Sequence, residues 1–440
     1  MINGLLTDLY QLTMAAGYWQ AGKTGETAVF ELYVRRLPPN RNFLIAAGLE
    51  QAVEYLLNLR FGEEEIRYLR ALPHFAQVGA GFFDQLRSWR FTGDLFAARE
   101  GTPLFAGEPF LTLRAPLLEA QIPETYLLST IGFQSMIATK AARIVDAAGG
   151  RSVVEFGTRR AHSPEAGVLA GRAAFIGGCL GTSNTLTGLR YGIPVFGTAA
   201  HSWVLSFPTE LEAFRRLQQL LGEQTAYLID TYDTLAGARR AASLGPPFWG
   251  VRLDSGNLAE LSRAVRAILD ESGQPQAKIM ATGDLNEYKI LEIVAAGAPI
   301  DAFGVGTELA TSHDAPSHGA VYKLVELRAG EERRYVAKLS AEKSTIPGAK
   351  QIFRYAHKDL LACSAESHPD AREALLEPVI LHGELVQRLP SPQQAREHAR
   401  RSLDRLPKKL RSLFECDPPW PVEISPELER LTNEVRQAAR

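Results

Sequence analysis

The sequence predicts an α/β protein: an irregular (β/α) barrel of parallel strands with a second domain of the α+β type. Seven short apolar runs recur between residues 152 and 306, with helix-like segments between them. The runs are continuously apolar instead of alternating, which is typical of parallel strands buried on both faces. Polar, glycine-rich residues follow the runs, at the strand ends where α/β barrels place their ligand sites.

The seven predicted strands lie in one continuous stretch of the chain. They are SVVEF (152–156), AAFIGG (173–178), IPVFG (193–197), AYLID (226–230), FWGVRL (248–253), KIMATG (278–283) and DAFGVG (301–306). Seven successive strand–helix units favour a barrel over an open doubly wound sheet. A dinucleotide-binding fold is disfavoured because no G-x-G-x-x-G opens a helix after the first run.

The flanking sequence predicts further structure around this barrel. Residues 91–113 contain short apolar runs broken by glycine and proline, which are typical of an antiparallel sheet. The predicted divisions are an N-terminal α+β domain at 1–113, a catalytic barrel at 114–329, a segment at 330–385 that completes the N-terminal sheet, and a charged helical tail at 386–440.

Composition excludes several classes of function. The 440 residues are 45% hydrophobic and 22% charged, with a net charge of −2, so no overall basic field points to nucleic acid or an anionic membrane. No apolar stretch approaches the roughly 18 residues of a membrane span. The 3 cysteines are far apart and show no zinc-ligand spacing. A cytoplasmic protein without nucleic-acid or membrane partners is expected.

Two successive strands are predicted to end in an acid beside glycine, at DSG (254–256) and TGD (282–284). A sugar phosphate needs carboxylates for its hydroxyls and for Mg²⁺, and small residues where backbone amides approach phosphate. Asp254, Gly283 and Asp284 are therefore candidate ligands. The alternative is that Asp254, Ser255 and Asp284 only cap helix N-termini.

The seventh strand is followed by GVGTE (304–308) and a predicted short helix. Barrels commonly bind phosphate at this late position through glycine amides and a helix N-terminus. Gly304, Gly306 and Thr307 are the candidates, and a plain strand-to-helix turn is the alternative.

His201 follows the third predicted strand, and Asp230 ends the fourth. An aspartate beside an imidazole would fix its tautomer and favour its charged form. The histidine then suits either a general base or a phosphoryl-accepting nucleophile, and the sequence does not choose between these roles. A purely structural histidine is the alternative.

The segment EFGTRRAH (155–162) places Phe156 and Arg159 at the end of the first strand. An aromatic ring and a guanidinium suit a flat, anionic aromatic ligand. Arg252 lies inside an apolar strand and is expected to face the site or pair with an acid, because an unpaired buried charge is costly.

Two further segments carry charge. HDAPSH (313–318) offers two histidines and an acid, but we reject a metal site because no further ligand is near in sequence. KLSAEKSTIPGAKQ (338–351) is a basic loop with Lys338, Lys343 and Lys350. It suits either a mobile lid over phosphates or a solvated loop.

Together these motifs resemble the nicotinate phosphoribosyltransferase family. The matching segments are TDLYQLTM, EFGTRRAHSPEA, GTSNTLTG, GTAAHSW, GVRLDSGNL, ATGDLNEYKI, DAFGVGTEL and KLSAEKSTIPGAKQ, in order over residues 5–355. The resemblance implies a type II phosphoribosyltransferase that is active as a homodimer. It also implies the synthesis of nicotinate mononucleotide from nicotinate and phosphoribosyl pyrophosphate with Mg²⁺, driven by ATP through a phosphorylated histidine.

The resemblance also implies roles for individual residues. His201 matches the phosphorylated histidine, and Asp230 the acid that orients it. Phe156 stacks on one face of the pyridine ring, and Tyr10 of a neighbouring subunit covers the other. The remaining matches are Arg159, Thr182, Ser183 and Arg252 for substrate, Asp254 and Asp284 for ribose and Mg²⁺, and Gly283, Gly304, Gly306, Thr307 and Lys338 for phosphate.

Ser183 discriminates within the group. The related nicotinamide phosphoribosyltransferase carries an acid after the same Gly-Thr pair, whereas Ser183 follows Gly181-Thr182 here. An acid repels a carboxylate substrate and a hydroxyl can donate to it, which favours nicotinate. The open alternatives are a nicotinamide or quinolinate phosphoribosyltransferase, a barrel aldolase or isomerase on sugar phosphates, and a non-catalytic sensor of NAD precursors.

Overall fold

The computed structural model of the protein describes residues 3–340 and 343–439. The chain forms two compact units. The first contains residues up to 135, 317–390 and 401 onward, and the second contains 136–316 and 391–400. These divisions differ from the predicted boundaries at 113, 329 and 385. Two long helices each contribute residues to both units, and the strand at 320–329, which was assigned to the barrel, belongs to the first unit.

The chain up to residue 147 forms the first five strands and six helices. The strands are β1 (Thr27–Val34), β2 (Leu44–Ile45), β3 (Asp94–Ala98), β4 (Pro103–Leu104) and β5 (Pro109–Pro116). The helices are α1 (Leu9–Gln20), α2 (Leu49–Asn58), α3 (Glu63–Ala71), α4 (Ala80–Arg87), α5 (Leu117–Gln121) and α6 (Glu124–Ala147).

Residues 148–316 alternate strands with helices. The strands are β6 (Ser152–Glu155), β7 (Gly181–Thr182), β8 (Ala226–Leu228), β9 (Gly250–Leu253), β10 (Lys278–Ala281) and β11 (Ala302–Val305). The helices are α7 (Pro164–Ile176), α8 (Thr185–Tyr191), α9 (His201–Leu205), α10 (Glu210–Leu221), α11 (Thr234–Ser243), α12 (Leu258–Glu271), α13 (Glu287–Ala295) and α14 (Thr307–Ala310).

The remaining chain is richer in strands. These are β12 (Ala320–Ala329), β13 (Glu332–Tyr335), β14 (Lys350–Arg354), β15 (Asp359–Cys363), β16 (Glu373–Ala374), β17 (Leu376–Leu381), β18 (Glu384–Leu385) and β19 (Val422–Ile424). Two helices, α15 (Pro392–Arg405) and α16 (Pro426–Ala438), give the C-terminal segment the helical content that its sequence predicts.

The second unit contains the predicted parallel sheet. Its strand order is β7-β6-β11-β10-β9-β8, and a parallel bridge joins Thr182 of β7 to Val195 beyond that edge. The first strand in sequence therefore pairs with the last, β6 with β11, and the others follow in ring order. An open doubly wound sheet has no such first-to-last pairing, so the order is that of a barrel. In residues 136–316, all described, the ladder is interrupted between Val195 and β8.

Five of the seven predicted strands are confirmed, at β6, β8, β9, β10 and β11. The prediction for 173–178 is wrong, because these residues end helix α7 and the strand follows at Gly181. Ser163 caps this helix and Pro164 occupies its first turn, and an apolar run alone cannot distinguish a buried helix from a strand. The run at 193–197 forms the single bridge at Val195.

Most strand pairs of the first unit are antiparallel, as predicted, although β15 and β19 pair in parallel. Its main sheet has the order β13-β12-β1-β5-β3-β17-β18. The post-barrel segment extends this sheet at both edges, as expected, but β14 lies in a separate sheet of order β16-β14-β15-β19. Among the described residues, none of the helices combines the length and the apolar character needed to cross a membrane.

Candidate active site

The carboxyl ends of four barrel strands bring several of the predicted site residues into one region of the second unit. Phe156 follows β6, Asp230 follows β8, Asp254 follows β9 and Thr282 follows β10. Because the strands are parallel, these ends lie at one edge of the sheet. The contacts described below then connect these side chains, and His201, into one network.

Asp254 is the central acid of this network. Its Oδ1 accepts a hydrogen bond from Arg252 Nη2 at 2.5 Å and another from the Thr282 hydroxyl. Its Oδ2 lies 3.9 Å from His201 Nε2. The side chain is 29% exposed, so one carboxylate oxygen is held by the protein while the group as a whole reaches solvent.

Arg252 is paired, as its position within an apolar strand predicts. Besides Asp254, its Nε donates to the Thr282 hydroxyl at 2.9 Å, and Nη1 donates to the Thr198 hydroxyl at 2.8 Å. Its guanidinium carbon lies 5.9 Å from the centre of the Phe156 ring. Arg252 is thereby held in one orientation, with its charge shared between an acid and an aromatic face.

These contacts shift the pKa of Asp254. Burial raises the pKa of this carboxyl, but the hydrogen bond from Thr282 and the charge and hydrogen bond of Arg252 lower it by more. The net pKa lies below the ordinary aspartate value, so Asp254 is a carboxylate at neutral pH. The site therefore offers a permanent negative charge for a hydroxyl or a cation.

His201 is the first residue of α9, and its ring is partly open to solvent, with 42% of the side chain exposed. Nδ1 lies 3.1 Å from the Thr231 hydroxyl, and Nε2 faces Asp254. The predicted contact between His201 and Asp230 is not formed. Asp230 Oδ2 instead accepts from the Asp254 amide at 2.9 Å and the Ser255 hydroxyl at 2.8 Å.

Asp230 therefore acts on the histidine only through its neighbours. Its Oδ2 fixes the turn that carries Asp254, which in turn faces the imidazole. Its Oδ1 is buried and has no hydrogen-bond partner among the described residues. An unsatisfied carboxylate oxygen of this kind costs free energy and offers an acceptor to a ligand hydroxyl or a water molecule.

Two glycines make the close packing of this edge possible. A Cβ on Gly283 would lie 1.9 Å from the carbonyl oxygen of Asp254, and its φ of +94° is also unfavourable for other residues. A Cβ on Gly304 would lie 2.7 Å from the Phe156 ring. Gly304 is buried within β11 and lies against the aromatic ring, in place of the phosphate contact that the sequence predicts.

The capping alternative for the two acidic motifs is wrong. Helix α12 is capped by Asn257 and helix α13 by Asn286, each of which accepts a backbone N–H three residues on. Asp254 and Ser255 take part in the network at the strand ends instead. Asp284 is exposed, with an uncommon positive φ of 45°. Asp284 and Asp254 are therefore available for functions other than capping.

Thr182 and Ser183 differ in what their hydroxyls do. Thr182 is buried and its hydroxyl donates to the Glu155 carboxylate at 2.5 Å. The Thr182 hydroxyl is therefore not free to contact a substrate. Its role in the structure is to hold the Glu155 carboxylate in place. Ser183 is half-buried, its amide donates to the Glu155 carbonyl at 2.9 Å, and its hydroxyl has no partner among the described residues.

Glu155 is a buried acid that is not among the predicted site residues. Its carboxylate accepts from the Gly157 amide and the Thr182 hydroxyl, and it joins the ends of β6 and β7. Burial raises its pKa, and the two hydrogen bonds offset part of that rise. Thr231 and Thr282 were also missed, because threonines at strand ends are too common to stand out in a sequence.

The remaining predicted residues are placed as follows. Arg159 is exposed on a short 3-10 helix and forms no ion pair among the described residues. Gly306 and Thr307 are half-buried at the start of α14. Tyr10 and Lys338 belong to the first compact unit, and both are exposed.

The basic loop differs from its prediction at one lysine. Lys350 is buried at the start of β14, and its ammonium lies 2.7 Å from Glu31, so this lysine is not available to a ligand. Lys338 and Lys343 are exposed, and the Lys338 amide donates to the Thr345 hydroxyl at 2.8 Å. Residues 341 and 342 of this loop lie outside the described residues.

The HDAPSH segment also bears on metal binding. Asp314 contacts Lys140 at 2.7 Å, and His313 lies 3.4 Å from Glu308. Over residues 3–340 and 343–439, no group of three or more His, Cys, Asp and Glu side chains has the arrangement of a metal site. Mg²⁺ commonly needs only one or two carboxylates together with substrate phosphates, and Asp254 and Asp284 suit that mode of binding.

A ring of parallel strands with its acids, arginine and histidine at the carboxyl edge defines an α/β barrel protein with a strand-end ligand site. Comparison with known families identifies which one. The N-terminal domain, family and C-terminal domain models of nicotinate phosphoribosyltransferase match residues 5–132, 151–352 and 323–432. The chain belongs to the nicotinate phosphoribosyltransferase family, as the sequence motifs predict.

Individual relatives agree with this assignment. A nicotinate phosphoribosyltransferase of Mycobacterium tuberculosis is 44% identical over 446 residues, covering 99% of this chain and 93% of the relative. One from Bacillus subtilis is 44% identical over 80% of this chain and 72% of its own. The structure of human nicotinic acid phosphoribosyltransferase superimposes with a TM-score of 0.86 at 28% identity, covering 98% of this chain and 100% of that one.

Proposed function

We propose that this protein is a nicotinate phosphoribosyltransferase that makes nicotinate mononucleotide and pyrophosphate from nicotinate and phosphoribosyl pyrophosphate. The observation that carries the proposal is the network at the strand ends, in which Arg252 joins Asp254 to the face of Phe156. It offers an aromatic surface beside a cation and a carboxylate. Relatives in Mycobacterium tuberculosis, Bacillus subtilis and mouse are named nicotinate phosphoribosyltransferases.

The pyridine ring is assigned to Phe156 and the residues beside it. The Phe156 ring lies against Gly304, where the absence of a side chain leaves room for the ring to lie flat. The unpartnered Ser183 hydroxyl can donate to the carboxylate of nicotinate, and the exposed Arg159 can neutralise it. An acid at position 183 would instead repel this carboxylate, so we propose nicotinate over nicotinamide.

The phosphoribosyl donor is assigned to the other side of the network. Asp254 is ionised and can accept hydrogen bonds from ribose hydroxyls, and the backbone around Gly283 and Gly306 can approach phosphate oxygens. The nicotinate nitrogen forms a bond to the anomeric carbon as the bond to pyrophosphate breaks and its electron pair leaves with pyrophosphate. Positive charge develops on the ribose, so fixed carboxylates and correct alignment lower the barrier.

Mg²⁺ is proposed as the ion that neutralises pyrophosphate as it departs. Asp254 and Asp284 are the acids that would hold it, with the substrate phosphates completing its coordination. Arg252 keeps Oδ1 of Asp254 occupied, which leaves Oδ2, on the side of His201, for a further contact.

Coupling to ATP through a phosphohistidine is proposed for His201. Its imidazole is partly exposed, and Nδ1 is oriented by Thr231. In such a step an imidazole nitrogen bonds to the γ-phosphorus of ATP as the bond to ADP breaks, and water later releases phosphate. A phosphoryl group there adds charge and oxygens beside Asp254, where they can help to organise Mg²⁺ and the donor.

Product formation tests this proposal directly. Purified protein is mixed with phosphoribosyl pyrophosphate and Mg²⁺, and nucleotide formation is compared for nicotinate and nicotinamide, each with and without ATP. ATP-stimulated turnover of nicotinate is the expected result. Turnover of nicotinamide alone would overturn the specificity, and the absence of turnover with either base would favour a sensor.

Variants separate the parts of the proposal. Ser183→Asp is expected to lower kcat/KM for nicotinate by about 100-fold, while the matched Ser183→Ala loses only one hydrogen bond and about tenfold. His201→Ala is expected to abolish phosphate labelling from γ-labelled ATP and the stimulation by ATP. Labelling that persists in His201→Ala would exclude this residue as the phosphoryl acceptor.

A homodimer with shared sites is also part of the proposal. Tyr10 is 50% exposed on α1, and Leu6, Leu9 and Met14, which are near it in sequence, are exposed as well. Apolar surface of this kind suits a subunit contact. If Tyr10 completes the site of a second subunit, mixing inactive Tyr10→Ala and His201→Ala proteins should restore activity in the mixed dimers. Sedimentation of the protein as a monomer would contradict the proposed homodimer.

A further inference from the structure

The second compact unit contains one buried lysine whose charge the proposed chemistry does not use. Lys140 lies on α6, and only 1% of its side chain is exposed. A buried ammonium is costly unless it is paired, so its partners indicate its role.

Three carboxylates surround this ammonium. Lys140 Nζ lies 2.6 Å from Glu287 Oε2, 2.7 Å from Asp314 Oδ1 and 3.7 Å from Glu308 Oε2. Arg143, one helical turn further along α6, donates to Glu287 Oε1 at 3.0 Å and to the Tyr288 hydroxyl at 3.1 Å. The cluster therefore joins α6 to acids from two other parts of the chain.

The positions of these acids connect the cluster to the ligand site. Glu287 is the first residue of α13 and directly follows the loop of Gly283 and Asp284. Glu308 is the second residue of α14 and directly follows Gly306 and Thr307. One ammonium thus contacts the residue beyond each of the two glycine-containing loops to which we assign phosphate.

We propose that Lys140 is a positioning residue, which fixes the separation of these two loops and thereby sets the affinity for the phosphoribosyl donor. This inference rests on the proposed function of the site. Without the ammonium, Glu287, Glu308 and Asp314 would repel one another, and the loops would move apart. Phe156, Arg159 and Ser183, which would contact the pyridine ring, follow β6 and β7 instead of β10 and β11, so nicotinate binding should change little.

Steady-state kinetics of Lys140→Met test the proposal. The KM for phosphoribosyl pyrophosphate is expected to rise by about 10–100-fold, because small displacements of binding groups have large effects. The KM for nicotinate is expected to change by less than about threefold. Equal increases in both values, or no change in the first, would overturn the proposal.

Glu308→Gln separates positioning from long-range charge. Removing a negative charge near an anionic donor should by itself strengthen binding and lower its KM. Loosening the contact with Lys140 should instead raise that KM by about three- to tenfold. If Lys140→Met fails to fold, this variant decides alone, and an unchanged or lower KM contradicts the proposal.

A matched control comes from an ion pair of the same unit. Arg240 on α11 contacts the buried Glu210 of α10 at 2.7 Å, away from both loops in sequence. Arg240→Met should lower the melting temperature without changing either KM. Calorimetric titration of the wild-type protein with phosphoribosyl pyrophosphate and Mg²⁺ distinguishes failure of the Lys140 proposal from failure of the proposed function. A wild type that binds the donor and converts nicotinate keeps the proposed function, even where the Lys140 proposal fails.

Discussion

Two arginine–aspartate pairs in this protein have similar geometry and different surroundings. In the second unit Arg252 lies 2.5 Å from Asp254, and in the first unit Arg354 lies 2.7 Å from Asp359. Asp254 is 29% exposed and faces His201, whereas Asp359 is fully buried and bound by two guanidinium nitrogens. Glu108 lies beside the buried pair, with Oε2 3.9 Å from Arg354.

The difference shows how one kind of ion pair serves two purposes. Arg354 also donates to the Pro103 carbonyl at 2.9 Å, so the buried pair is enclosed by protein groups on several sides. The pair at the strand ends keeps one carboxylate oxygen free of arginine and open to its surroundings. A closed pair holds sheets together, and a half-open one can exchange its contacts for those of a ligand.

The largest effect is expected for the closed pair. Arg354→Met leaves the Asp359 carboxylate buried without its main partner, which should lower the free energy of unfolding by about 3–5 kcal/mol. The kcat of the protein that remains folded should not change. Urea unfolding and active-site-normalised kinetics measure the two quantities, and a large fall in kcat would remove the distinction between the pairs.

The half-open pair should show the opposite pattern. Asp254→Asn removes the charge that faces His201 and the ribose site, so kcat is expected to fall by about 100- to 1000-fold. The melting temperature should change by only a few degrees, because Asp254 is partly solvated. A variant with nearly full activity would mean that Asp254 has only a structural role.

The aromatic partner of Arg252 should have a smaller effect. Phe156→Ala removes the proposed stacking surface, and the KM for nicotinate is expected to rise by about tenfold while that for ATP stays constant. Initial-rate measurements with each substrate varied in turn test this. An unchanged KM for nicotinate would place the pyridine ring elsewhere.

The smallest effect concerns pH and the closed pair. Burial raises the pKa of Glu108 well above its ordinary value, and the neighbouring Asp359 charge adds to the rise, although Arg354 opposes it. Folding then favours protonated Glu108, so its contribution to stability is present below the ordinary glutamate pKa and is lost as pH rises through the raised one. Because one proton is involved, the slope is at most about 1.4 kcal/mol per pH unit.

The neutral variant tests the origin of this slope. Glu108→Gln should remove the Glu108 contribution, and urea unfolding of both proteins at several pH values between 5 and 9 measures it. Identical slopes in the two proteins would assign the pH dependence to other groups. The pH dependence contributed by Asp254 has the opposite sign. Because its pKa is lowered, Asp254 stabilises the fold above the ordinary aspartate pKa, and this stability is lost only as the pH falls through the lowered pKa.

The sequence predicted the barrel well because its strands are apolar and followed by polar residues. It failed at 173–178, where a buried helix and a buried strand have the same composition. Phe156, Arg252 and Asp254 lie close together because parallel strands all end at one edge of the sheet, and their roles in binding stay predictions. The partner of His201 was wrong, because which of the adjacent residues Asp230 and Thr231 reaches the ring depends on the local turn.

The buried charges that hold the site in place could not be predicted from the sequence. Glu155, Lys140 and Glu287 are charged residues in ordinary-looking segments, and a single sequence gives no sign that they are buried. Their partners are also far apart in the chain: Lys140 and Glu287 are separated by almost 150 positions. Only the folded chain brings such charges together.

The interruption of the barrel ladder beside Val195 has a consequence for exchange of the backbone amides with solvent. Arg252 reaches from β9 to the Thr198 hydroxyl and the Ala199 carbonyl, at 2.8 and 3.4 Å, so this stretch is secured by a side chain instead of a ladder. The Phe196 amide still donates to the Thr182 carbonyl at 2.9 Å, but the amides of 197–200 should take up deuterium much faster than those of β9–β11. A ligand that draws Arg252 away would speed this uptake further, making the stretch a reporter of site occupancy.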